Sequence, residues 1–130
     1  MKYLLDTHVF LWSLINASKL SNKVKGILTD DNQIYVSIIS FWEVSIKLNL
    51  GKIELNGSSP EELYQSGLMT GFKLQSLAIN EVTSFHKLER LHKDSFDRMI
   101  IWQAIRNDMT LLSKDGKTSE YEKFGLQLIW

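Results

Sequence analysis

The chain has 130 residues, with fifteen Lys plus Arg against fifteen Asp plus Glu, one proline and no cysteine. This length suits a single domain over residues 1–130, and 44% hydrophobic with 23% charged residues is the balance of an ordered globular chain. The missing cysteine excludes a disulfide scaffold, a thiolate metal site and a cysteine nucleophile, while zero net charge argues against a domain that coats nucleic acid non-specifically.

In chain order, Tyr3-Leu4-Leu5 is a short apolar run cut by Asp6, the pattern of a buried strand. A helix is expected over His8–Ile15 and another over Leu20–Thr29, with Ser21 a plausible N-cap and Val24, Ile27 and Leu28 on one face. Gln33–Val36 is the second strand, and Ser37 or Ser40 caps a helix running to about Leu50, where Gly51 stops it. The turn-rich Leu55–Pro60 leads into a helix over Pro60–Thr70, opened by Pro60-Glu61-Glu62. Lys73–Leu77 reads as a weak strand and Asn80–Leu91 as a helix. Asp97–Asn107 is the most apolar helix, expected to be buried nearly all round. Thr110–Leu112 and Leu126–Trp130 complete the strands, with a turn at Ser113–Gly116. Strands alternating with helices predict an α/β fold, a three-layer α/β/α sandwich with a mainly parallel central sheet. No apolar run reaches the roughly 18 residues that span a bilayer, and Met1–Asp6 meets an acid too early for a signal peptide, so a cytoplasmic protein is expected.

In open parallel sheets, sites form beyond the carboxyl ends of the strands. Asp6 and Asp115 fall just past two strands and are therefore expected at one edge. Glu43 lies among apolar helix residues, and Asp97 opens the apolar helix. Each has a simpler reading: Asp6 and Asp97 suit N-caps, Asp115-Gly116 suits a turn, and Glu43 can pair with Lys47 one helical turn on. Converging carboxylates repel one another, however, and must protonate or share a cation. Oxygen ligands without cysteine point to a hard ion such as Mg²⁺ or Mn²⁺, which activates water and neutralises charge on a phosphodiester.

Four stretches carry a resemblance: Leu4-Leu5-Asp6-Thr7-His8; Val36-Ser37 leading into Phe41-Trp42-Glu43-Val44-Ser45-Ile46-Lys47 and Leu50-Gly51-Lys52; His92-Lys93-Asp94-Ser95-Phe96-Asp97-Arg98; and Leu112-Ser113-Lys114-Asp115. In this order and spacing the chain resembles the PIN-domain ribonucleases, and among them the VapC-type toxins of toxin–antitoxin pairs. The resemblance implies an α/β/α fold, Mg²⁺- or Mn²⁺-dependent endoribonuclease activity by activated-water attack, a small antitoxin partner and a homodimer. Residue by residue, Asp6, Glu43, Asp97 and Asp115 match the acidic quartet that holds the metal, with Asp6 and Asp97 the firmest ligands. Ser113 matches a hydroxyl position beside the site, and Thr7 adjoins Asp6. Asp94 is a reserve ligand. Ser95 departs from the proline usual in this subgroup, which loosens the loop without removing a chemical group. Arg98, Lys47, Lys114 and Lys117 are available for flanking phosphates, Arg98 foremost.

Three histidines share no metal-ligand spacing, and packing, capping or surface roles are expected for His86 and His92, with His8 lining the pocket. Of Phe10, Trp12, Phe41 and Trp42, about half are expected in the core, the rest offering a sticky surface to a second subunit or an antitoxin segment. A phospho-receiver module matches the length and alternation, but lacks paired acids after the first strand and leaves Glu43 and Asp97 unemployed. A haloacid-dehalogenase-like phosphatase wants a second Asp where His8 stands. A non-catalytic scaffold of the same fold has no use for acids at all four positions.

Overall fold

Parallel strands buried on both faces need unbroken apolar runs, and this chain spends its shortest segments on them. A computed structural model describes residues 1–130. Its strands are β1 (Lys2–Leu5), β2 (Gln33–Ser37), β3 (Lys73–Gln75), β4 (Thr110–Leu112) and β5 (Gln127–Ile129). All pair in parallel, in the order β3-β2-β1-β4-β5, with Leu5 opposite both Val36 and Leu112. Alternation divides them between two cores: Tyr3, Leu5, Ile34, Val36 and Leu112 face one, Leu4 and Leu111 the other.

The first core is covered by α1 (Thr7–Ile15), α2 (Asn22–Thr29) and α4 (Pro60–Thr70), through Val9, Phe10, Val24 and Leu63. The second is covered by α6 (Ser95–Arg106) and by a 3₁₀ segment, Gly116–Phe124, which inserts Tyr121. α5 (Ile79–Ser84) joins this layer through buried Glu81, which accepts from the Asn107 side chain at the end of α6. α3 (Ile38–Asn49) reaches both cores, sending Ile39 into one and Val44 into the other. The expected three-layer α/β/α sandwich is thus observed, and no helix is long and apolar enough to cross a membrane. Ser21, Ser37 and Ser59 each cap the helix that follows, and Pro60 takes the first turn of α4.

Four local expectations need correction. The helix expected over Asn80–Leu91 stops at Ser84 and tightens into a 3₁₀ turn, Phe85–Lys87. Thr83 and Ser84 donate their hydroxyls back to the Ile79 and Asn80 carbonyls, which competes with continued helix. The strand expected to reach Leu77 ends at Gln75. α6 begins at Ser95 rather than Asp97, because Asp94 is its N-cap, its Oδ1 accepting from the Phe96 and Asp97 amides. Nor is α6 buried all round. Trp102 is half-buried and Arg106 exposed, with the Arg106 guanidinium 5.5 Å from the Trp102 ring centroid.

Candidate functional site

β1 lies at the sheet centre, and the chain leaves it one way to β2 and β3 and later the other way to β4 and β5. The gap between β1 and β4 is therefore the switch in strand order where open α/β sheets build sites. Asp6 follows β1 there and caps α1, Oδ1 accepting from the Val9 amide at 2.8 Å. Asp115 follows β4; its amide donates to Ser113 Oγ at 3.1 Å, and its Oδ1 accepts from the Lys117 amide. Asp97 enters from the first turn of α6. Asp6, Asp97, Ser113 and Asp115 line one small cavity, and Asp6, Asp97 and Asp115 with His8, Trp12 and Lys114 line a wider cleft of about 380 Å³.

Glu43 approaches from α3 and is 1% exposed. Its Oε1 accepts from the Thr7 hydroxyl at 2.7 Å and its Oε2 from Lys47 Nζ at 2.6 Å. The helical-turn ion pair foreseen in the sequence is present, but it does not exhaust the carboxylate. Oxygens of Glu43, Asp94 and Asp97 lie within 4.8 Å of one another. Asp94 combines its cap with a place in this group.

Burial pushes the Asp97 pKa up to about 7, helped by the negative charges of Asp94 and Glu43 and opposed by His92. Burial likewise raises Asp6, against the pull of Ser113 and the Val9 amide. At Asp115 burial also acts upward, but hydrogen bonds from His92 and the Lys117 amide outweigh it and hold the carboxyl below its usual range. Desolvation acts to lower Lys47, but its bond to Glu43 prevails and raises it. An all-oxygen donor set in which burial makes Asp6 and Asp97 reluctant to ionise fits a hard divalent cation.

A pH dependence follows. Proton and cation compete for Asp97, so Mn²⁺ affinity is expected to weaken about tenfold per pH unit below about pH 7, measured by calorimetric titration. The metal-free protein is expected to move the other way. A folded carboxyl titrating near 7 binds its proton more tightly than the unfolded one at 3.8, so its contribution to stability falls as pH rises across that window. Asp115, with its lowered value, contributes stability that is lost only on acidification below that window.

Sequence reasoning missed His92. It is buried, with Nε2 2.7 Å from Asp115 Oδ2 and 3.3 Å from Asp97 Oδ2. Its Nδ1 accepts from the Asp94 amide at 3.1 Å, so in the neutral ring Nε2 carries the proton and donates to Asp115. His92 therefore braces two carboxylates. The pairing spans 23 residues, and no local spacing announces it. The usable signal was its position two residues before the acid that starts α6. The Tyr121 hydroxyl holds this loop, accepting from the Leu91 and His92 amides and donating to the Glu89 carbonyl, each at 2.9 Å.

Of the residues considered for flanking phosphates, Lys114 is exposed in the cleft and Lys47 is bound to Glu43. Arg98 lies with its guanidinium 4.9 Å from the Phe85 ring centroid and donates to Ser95. Lys117 offers its amide to Asp115. His86 is exposed and turned to the Thr83 carbonyl. Among the four aromatics, Phe10 is fully buried, Trp12 and Phe41 are half-buried, and Trp42 is 59% exposed.

Comparison with known proteins gives a coherent result. The family model described as PIN domain matches residues 3–123. No curated protein matches. Among solved structures, VapBC2 from Rickettsia felis, bound to a DNA fragment from its promoter, superposes with a TM-score of 0.69 at 18% identity, covering 100% of this chain and 99% of that one. VapBC-1 from nontypeable Haemophilus influenzae gives 0.67 at 18%, covering 99% and 97%. FitAcB from Neisseria gonorrhoeae gives 0.62 at 16%, covering 98% and 96%. At these identities the superpositions describe the fold.

Proposed function

The chain belongs to the PIN domain family, and from that premise we propose that residues 1–130 form one domain acting as a Mg²⁺- or Mn²⁺-dependent endoribonuclease, the VapC-like toxin of a toxin–antitoxin pair. The observation that carries this reading is the convergence of acids from four separate segments at the β1/β4 switch, with Asp97 made reluctant to ionise alone. Asp6, Glu43, Asp97 and Asp115 would hold the ion, with Asp94 in reserve. When bound, the ion supplies Lewis acidity and neutralises charge at the scissile phosphate.

The chain's own groups do the rest. Thr7 and Lys47 fix the Glu43 carboxylate, Ser113 supports Asp6, and His92 holds Asp115. Lys114 faces the cleft as a partner for a neighbouring phosphate, and Lys47 lines the groove that shares His8 and Trp12 with it. A carboxylate accepts the proton of the attacking water. The P–O3′ bond breaks, the leaving O3′ takes a proton from solvent or from that carboxylate, and 5′-phosphate and 3′-hydroxyl ends remain. The solved VapBC and FitAcB structures support a small antitoxin as partner, family resemblance supports a homodimer, and the N-terminal sequence supports a cytoplasmic location.

Purified protein is expected to cut a total RNA pool into discrete fragments with Mg²⁺ or Mn²⁺ and not with EDTA. No cleavage by folded protein with either metal would favour a non-catalytic scaffold of this fold.

A further inference from the structure

His8 and Trp12 sit one helical turn apart on α1, ring centroids 5.7 Å apart. Four residues apart, the two side chains share one face of the helix. Phe10 and Leu11 fill the core, while His8 is exposed and Trp12 half-buried. Trp12 is braced from one side by the edge-to-face ring of Trp130, centroids 6.0 Å apart. The pair stands where two depressions meet. Both residues line the cleft of about 380 Å³ that holds Asp6, Asp97, Lys114 and Asp115. Both also line a groove of about 300 Å³ that holds Thr7, Glu43, Lys19, Lys47 and Lys52. The acids of the site are thus divided between two hollows whose shared wall is aromatic. Lys19 and Lys52 are exposed, and Lys19 Nζ lies 5.7 Å from the Trp12 ring centroid.

We propose that His8 and Trp12 form a nucleobase platform for single-stranded RNA, on which a base beside the scissile linkage stacks while Lys19 and Lys52 take the adjoining phosphates. The proposal rests on the endoribonuclease reading above and adds a base-binding subsite beside its acids. A chain of zero net charge cannot hold RNA by long-range attraction alone, so local stacking has to supply affinity. Stacking requires an unstacked base, which a duplex withholds, and it tolerates any base identity. A rigid ring backed by Trp130, open towards the cleft and edged by cations, meets that need.

The test uses a set of short single-stranded oligoribonucleotides of varied sequence and, for any member that the wild type cuts, a copy with an abasic nucleotide beside the cut site. Affinity is read in EDTA by fluorescence anisotropy, and kcat and KM are read with Mn²⁺. Trp12→Leu and His8→Ala are expected to weaken binding about tenfold, with the loss in KM rather than kcat, and Trp12→Phe to restore most of it. The abasic copy should show the same loss in wild type and no further loss in Trp12→Leu. His8 is exposed, so His8→Ala keeps the test sound if Trp12→Leu disturbs the contact with Trp130. Cleavage with unchanged KM and anisotropy in both variants overturns the platform and leaves the nuclease reading standing. Ring-dependent binding without cleavage by wild type does the reverse, and neither binding nor cleavage overturns both.

Discussion

Asp97→Asn and Asp6→Asn are each expected to lower metal-dependent RNA cleavage by at least about 100-fold while leaving the protein folded. Asparagine keeps the shape and removes the charge. At position 6 it also keeps the cap on α1, since Asn serves that position as well as Asp. At position 97 the charge is a burden in the metal-free protein, facing Asp94 and Glu43 in a desolvated setting. Asp97→Asn should therefore unfold at equal or higher urea concentration than wild type at pH 8, and yet lose Mn²⁺ binding. That opposition separates a ligand from a structural acid. A variant that cleaves normally, or one that loses activity only because it unfolds, would remove the residue from the site. Glu43 is a poorer first target. Glu43→Gln would strip Lys47 of its partner and mix a charge effect with a packing one.

The carboxylates were legible in the sequence because they interrupt apolar context. Asp6 ends a buried strand, and Glu43 stands on an apolar helix face, where an acid is costly unless something compensates it. The parallel sheet was legible from strand–helix alternation, and that alone put Asp6 and Asp115 at one edge. What stayed hidden was of two kinds. Partnerships across the chain leave no local trace, as with His92 and Asp115 or Tyr121 and the loop before α6. Polar segments without an apolar stripe give no periodic signal, and Gly116–Phe124 is of this kind, its fold set by Asp115 at its start and buried Thr118 and Tyr121 within it. The shift of the α6 start from Asp97 to Ser95 has the same origin. Two acids three residues apart both suit a cap, and only the backbone decides that Asp94 takes it.

Tyr121→Phe is expected to cost about 1–3 kcal/mol of stability, more than removal of one hydroxyl from a surface would suggest. The Tyr121 ring is fully buried among Leu4, Ile100, Ile101 and Leu111, and phenylalanine preserves that packing. The loss falls on the groups the oxygen serves. The Leu91 and His92 amides both donate to it, and the Glu89 carbonyl accepts its proton; the Leu91 amide and the Glu89 carbonyl also bond each other at 3.0 Å, so the buried His92 amide is the group left without a partner. A donor left unpaired away from water costs about 1–3 kcal/mol, partly offset where the loop relaxes towards solvent. The same loop ends in His92 and Asp94, so a lowered urea midpoint should come with Mn²⁺ affinity about tenfold weaker, the usual scale for loss of an outer support. An unchanged urea midpoint would mean that the segment before α6 is held by its packing and not by this oxygen. A lowered midpoint with unchanged Mn²⁺ affinity would mean that His92 and Asp94 keep their places without it. Coupling of both effects in one hydroxyl would tie the polar segment Gly116–Phe124 to the acids just past the end of β4.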